Sequence, residues 1–155
     1  KNKCTFKKVI MKIHLATDHA GLELKNIIRN ILIEKDYDVT DHGAYEYDAL
    51  DDYPDFIFPC ATAVSLDNES KGIILGGSGQ GEAMAANRVK GCRAAVFYNG
   101  PLEILKLSRE HNNANILSLG ARFMTQDEIV KIIEIWLKEP FSGGRHIKRI
   151  EKLDL

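Results

Sequence analysis

No apolar stretch in this chain runs beyond a few residues, far short of the roughly 20 that a membrane-spanning helix requires. No bilayer-crossing helix is expected. Cysteine is scarce: Cys4, Cys60 and Cys92 are odd in number and widely separated, with no CxxC pair and no histidine at zinc spacing. A disulfide framework and a structural zinc site are excluded, and free thiols point to a reducing cytoplasm. Neither sign of charge is in excess. Lys and Arg total 21 against 22 for Asp and Glu, a net charge of -1, so no global field recruits nucleic acid or anionic lipid. Internal repeats and low-complexity tracts are also missing. The basic opening segment, residues 1–10, lacks the apolar core of about 7–15 residues that a secretory signal needs. It reads as an unstructured extension, with one folded domain expected over residues 11–155.

What is present suffices for a single core: 155 residues, of which 45% are hydrophobic. From Met11 onward, short β-rich runs alternate with longer helical patterns, the signature of repeated βα units and a parallel sheet. Five strands are expected at Lys12–Thr17, Asp38–His42, Gly72–Leu75, Arg93–Tyr98 and Ile116–Leu119. The GIIL and RAAVFY runs are nearly continuous in apolar character, as for strands covered on both faces. The second strand is more polar and suits an edge. Helices are expected at Gly21–Lys35, Pro54–Ser65, Glu82–Val89 and Pro101–His111, and a Thr125–Glu128 capping box opens another that runs to about Leu137. Pro140 stops that helix, and a basic tail, residues 145–155, follows. In such a chain ligands collect at the carboxyl ends of the strands, so the chemistry is expected on the loops that follow them.

The richest of these loops is Gly76-Gly77-Ser78-Gly79-Gln80-Gly81-Glu82. It follows a strand and opens a helix, so backbone N–H groups and a helix dipole converge on one anion or oxyanion. Both nucleotide fingerprints fail at the same place: the dinucleotide motif needs Gly, and the P-loop needs Lys, where Glu82 stands. A tight turn packed under a helix explains a glycine-rich run, but four glycines in six residues exceed what a turn needs. An oxyanion hole beside a carboxylate is what proton abstraction next to a carbonyl requires.

The remaining polar candidates are individually weaker. Asp18-His19 ends the first strand, where a surface hydrogen-bonded pair is the commoner outcome. His14 reads as structural, and His42 is undecided. His111 ends a helix, where the dipole favours an imidazolium without any function, but Asn112 and Asn113 beside it suit sugar hydroxyls. In the tail, Arg145 and Arg149 share a helical face with His146 near its edge. A basic face of this kind is usually only solvated; joined to Arg122 it would form a clamp for a phosphate dianion.

Together, KIHLATDHAGLELK, DDYPDF, GGSGQGEAMAANRVKGCRAA, SREHNNANILSLGARF and GGRHIKRIEKL resemble the ribose-5-phosphate isomerase B family, whose superfamily includes galactose-6-phosphate isomerase subunits. The resemblance runs in family order from about Lys12 to Leu153. It implies a Rossmann-like three-layer αβα sandwich with a five-stranded parallel sheet. It also implies interconversion of ribose 5-phosphate and ribulose 5-phosphate through a cis-enediolate, with no metal or other cofactor. The assembly implied is a homodimer with shared active sites, or a tetramer if dimers pair further.

Many members open the glycine-rich loop with a cysteine that acts as base. Here that position is Gly76, as in the subgroup whose base is a glutamate, so the role maps onto Glu82. By the same resemblance His111 opens the furanose ring, Ser78 lies against the reacting oxygens, and Asp18 and Asn112 hold hydroxyls. Backbone amides of Ser78, Gly79, Gln80 and Gly81 stabilise the enediolate, and Gly77 also binds substrate. His19, Arg122, Arg145 and Arg149 bind or lie near the phosphate, with His146 as a further candidate, and Tyr53 lines the pocket. Isomerisation of a hexose 6-phosphate, such as allose or galactose 6-phosphate, is the alternative within the same chemistry. A non-catalytic sugar-phosphate-binding module is the alternative from another class.

Overall fold

The computed structural model describes residues 9–155. Cys4 and all but the last two residues of the expected extension lie outside this range. The elements are β1 (Lys12–Thr17), α1 (Leu22–Glu34), β2 (Asp38–Asp41), α2 (Pro54–Ser65), β3 (Lys71–Gly76), α3 (Gln80–Ala86), β4 (Ala94–Phe97), α4 (Leu102–Glu110), β5 (Ile116–Gly120), α5 (Gln126–Lys138) and α6 (Arg145–Glu151). All four strand pairings are parallel, in the order β2-β1-β3-β5-β4. The chain works outward from β1 to β2 and then in the opposite direction from β3. The reversal opens a crevice between the carboxyl ends of β1 and β3.

Alternation along the strands builds two cores. Ile13, Leu15, Ile73, Leu75, Leu117 and Leu119 point to one face, where α1, α4 and α5 cover them. Ala16, Ile74 and Ile116 point to the other, against Ile57, Cys60, Ala61 and Val64 of α2 and Ala85 and Ala86 of α3. The result is the expected three-layer αβα sandwich. The capping box forms, with the Thr125 side chain on the Glu128 N–H and the Glu128 carboxylate on the Thr125 N–H.

The polar second strand is an edge, as expected. β4 is an edge too, and this corrects the reading of RAAVFY as a run covered on both faces. Ala94, Ala95 and Val96 are only half-buried, because no strand lies beyond them. Asn87 takes up the first edge groups instead: its side chain donates to the Ala94 carbonyl (3.0 Å) and accepts from the Ala94 N–H (2.8 Å).

A buried lysine fixes the rim of the crevice. Lys25, fully buried in α1, donates to Asp41 Oδ1 (2.6 Å) and to the carbonyl of Ala44 (2.5 Å). The same loop is bonded to the end of β1 through Thr17 N–H to Gly43 O (2.8 Å) and Ala44 N–H to Thr17 O (2.6 Å). His14 and His42 add a ring–ring hydrogen bond of 2.8 Å between Nδ1 and Nε2, which makes both of them structural links between β1 and the end of β2.

Candidate active site

The carboxyl ends of β1, β3 and β5 gather the first group of candidates. Gly79 begins α3 with a left-handed backbone (φ 78°), and a Cβ there would lie 2.9 Å from the Leu119 carbonyl, so only glycine fits this turn. Glu82 then falls in the first turn of α3 and points back under the loop, only 5% exposed. A Cβ built on Gly76 would collide with the Glu82 carboxyl group. The carboxylate thus fills the volume that a side chain at position 76 would take. Burial pushes its pKa up, a backbone hydrogen bond offsets part of the rise, and the nearby charge of Asp18 adds a smaller increase.

Around this carboxylate stand the other residues of the crevice. Tyr53, at the start of α2, lies against the loop, its phenol oxygen 2.9 Å from where a Gly81 Cβ would sit. The Arg122 guanidinium covers Gly77, with Nη1 3.1 Å from the corresponding Cβ position, and the Arg122 N–H donates to Gly77 O (3.1 Å). Ser78 Oγ accepts from the Gln80 N–H (3.3 Å). Buried Asp18 accepts from the Ala20 N–H (2.9 Å) and so starts the single 3-10 turn at His19–Gly21. His19 in turn donates to Asp51. Side-chain N and O atoms of Asp18, His19 and Asp51 lie within 4.8 Å of one another, with His19 and Asp51 hydrogen-bonded to each other.

The second group lies elsewhere. α4 runs from the carboxyl end of β4 back to the amino end of β5, and carries His111 and Asn112 with it. The Asn115 carbonyl accepts from the N–H of Gly72, at the base of β3, and Arg93 Nε donates to the Asn112 carbonyl (3.1 Å). The residue pairs Gly72–Ile116 and Gly76–Gly120 mark the two ends of the sheet, four residue steps or about 13 Å apart. α6 sits at the same far end. His146 stacks on His111 with ring centroids 4.4 Å apart, and Ser142 N–H donates to Glu110 O (3.0 Å). The His146 pKa is lowered by desolvation and then by the cationic neighbours His111, Arg145 and Arg149.

Two expectations are corrected here. The predicted helix in the tail forms, but Arg145 and Arg149 do not close a clamp with Arg122 within one chain, since Arg122 follows β5 at the opposite end. Nor does all of the candidate chemistry follow a strand: His111 and Asn112 precede one. The candidates therefore fall into two groups at opposite ends of the sheet. Beside the second, a groove of about 370 Å³ opens between the edge of β4, Asn112 and the chain end at Leu153 and Asp154.

Two residues were not anticipated. Asp51, within the DDYPDF segment, and Lys25, in α1, reach their partners across 32 and 16 residues, separations at which spacing carries no signal. Cys60 and Cys92 stay out of the crevice as buried free thiols, and burial raises both pKa values, that of Cys92 to about 11.

Residues 13–153 match the Ribose/Galactose Isomerase family. The chain is 45% identical over 142 residues to a probable ribose-5-phosphate isomerase B of Mycoplasma genitalium, covering 91% of this chain and 92% of that protein. It is 43% identical over 144 residues to the ribose-5-phosphate isomerase B of Mycolicibacterium paratuberculosis, covering 92% and 89%. Its fold matches the crystal structure of the Mycoplasma genitalium ribose-5-phosphate isomerase B with bound ribulose-5-phosphate at a TM-score of 0.87, with 44% identity over 92% of this chain and 93% of that one. The Clostridium thermocellum ribose-5-phosphate isomerase B matches at a TM-score of 0.86, with 42% identity over 93% and 95%. Sequence, topology and the glycine-rich crevice agree, and the chain belongs to the ribose/galactose isomerase family.

Proposed function

We propose that the protein interconverts ribose 5-phosphate and ribulose 5-phosphate, with Glu82 as the base that carries the proton between C2 and C1. The observation that carries this reading is the placement of the Glu82 carboxylate in the space left empty at Gly76, under a loop of backbone N–H groups. Glu82 removes the C2 proton of the open-chain aldose while the carbonyl oxygen takes up negative charge against the amides of residues 77–81. A proton passes between the two substrate oxygens of the cis-enediolate, and Glu82 returns its own proton to C1. A carboxylate with a raised pKa is the stronger base for this exchange.

The second half-site completes the reaction from another copy of the chain. Each chain presents Asp18, His19, Tyr53, Glu82 and Arg122 at one end of the sheet and His111, Asn112, Arg145 and Arg149 at the other, so a pair of chains docked in antiparallel fashion assembles two whole sites. His111 of the second copy opens the furanose ring, by moving a proton between the anomeric hydroxyl and the ring oxygen, and Asn112 and Asp18 hold hydroxyls. Arg145 and Arg149 of that copy then meet His19 and Arg122 around the phosphate, with His146 stacked behind His111. Buried free thiols fit a cytoplasmic enzyme.

The test is turnover of purified protein, with EDTA present, on ribose 5-phosphate beside allose 6-phosphate and galactose 6-phosphate. A strong preference for the pentose is expected. Preference for a hexose would keep the chemistry and reassign the substrate, and no turnover on any of the three would leave a sugar-phosphate-binding module.

A further inference from the structure

Asp51 has no part in the reaction as set out above, yet it holds His19 by two bonds. Its Oδ1 accepts from the His19 ring Nδ1 (2.6 Å) and from the His19 backbone N–H (3.1 Å). The Asp51 side chain is only 9% exposed, and its other oxygen, Oδ2, is buried without a hydrogen-bond partner among the described residues. It stands at the end of a loop whose Tyr45, Tyr47 and Leu50 are exposed by 69%, 70% and 88%. A carboxylate that deep beside an exposed stretch of polar and aromatic surface is costly unless a cation faces it.

We infer that Asp51 is a positioning residue for phosphate binding, clamping His19 with Nδ1 turned inward so that Nε2 presents its proton to the phosphate of the sugar. This rests on the placement of the phosphate beside His19 proposed above. With Nδ1–H committed to Asp51, the ring has one nitrogen left for a ligand, and as an imidazolium that nitrogen is a charge-assisted donor. The Tyr47 ring packs edge-on against the imidazole at 5.9 Å and fixes its plane. The charged groups facing His19 are Asp51, Asp18 and Arg122. The bond to Asp51 is the largest influence and raises the His19 pKa, desolvation opposes it, Asp18 supports it, and Arg122 opposes it weakly. A phosphate dianion entering the crevice adds a further negative neighbour and strengthens the same protonation state. Asp51 thus shifts His19, in the unliganded crevice, toward the charged form that the incoming anion favours.

The experiment follows His19 by nuclear magnetic resonance in the full-length protein and pairs it with steady-state kinetics on ribose 5-phosphate. In the wild type above the titration, the neutral ring should carry its proton on Nδ1; a ring protonated on Nε2 would overturn the inference without any variant. Asp51→Asn keeps the side-chain shape and removes the charge. It should lower the pH at which His19 titrates and raise KM about tenfold at pH 7.5, with kcat changed less than about threefold. An unchanged titration would overturn the inference. In a His19→Gln background, Asp51→Asn should add less than about twofold to KM. An undiminished rise there would give Asp51 a purely structural role. If His19→Gln alone leaves KM unaltered while Asp51→Asn still lowers the titration, the phosphate placement is what fails, and the role inferred for Asp51 falls with it.

Discussion

Glu82 owes its position to a residue with no side chain. At Gly76 even a methyl group would displace the carboxylate, so Gly76→Ala, which removes no functional group, should cost about 100-fold in turnover through misplacement of the base. Glu82→Gln should cost about 100- to 10,000-fold in kcat while KM for ribose 5-phosphate changes little, as measured on the purified variants. The same variant should be the more stable one. The folded-state pKa of Glu82 lies above its unfolded value, so between the two the folded protein binds the extra proton and stability falls as pH rises. Melting scans should therefore show Glu82→Gln above the wild type at pH 8, with the gap narrowing toward pH 4. Glu82 was legible in the sequence because it breaks two nucleotide motifs at one position; that its carboxylate would enter the space over Gly76 was not, since that depends on how α3 leaves the loop.

The elements were largely legible, because the period-2 runs and the helical stripes differ sharply and the helix ends carry their own signals at Thr125 and Pro54. What composition does not encode is which strand finishes at the edge. The β4 run is apolar enough for a central strand, and its half-exposed face follows from its place at the end of the sheet order. The buried Lys25 belongs here too: it bonds α1 to the end of β2 and to the loop that borders Asp18. Lys25→Met should destabilise the protein by about 3–5 kcal/mol, measured by denaturant unfolding, because the largely buried Asp41 loses its close ammonium partner and keeps only the longer pair with Arg29 at 3.5 Å. The catalytic rim should loosen with it, which a rise in KM at temperatures well below the melting transition would register. If stability fell by less than about 1 kcal/mol, water would have to replace the ammonium group at Asp41.

Across the whole molecule, the two groups of candidate residues stand at opposite ends of one sheet because α4 must run back before β5 can begin. The pairs Asp18–His19 and His111–Asn112 could be picked out by residue type, but no pattern in the sequence says that they face away from each other. That follows only from the strand order. Complementation measures the arrangement directly: Glu82→Gln and His111→Ala should each be nearly inactive alone, whereas an equal mixture, after subunit exchange, should regain about a quarter of the wild-type sites, since half of the dimers are mixed and each mixed dimer has one intact site. A mixture no more active than its components would place both groups in one chain's site. The backward run of α4 also sets a reaction order. On the shared-site arrangement proposed above, the rate below the dissociation constant of the pair should climb with the square of the protein concentration, and a freshly made chain should stay silent until it meets a second.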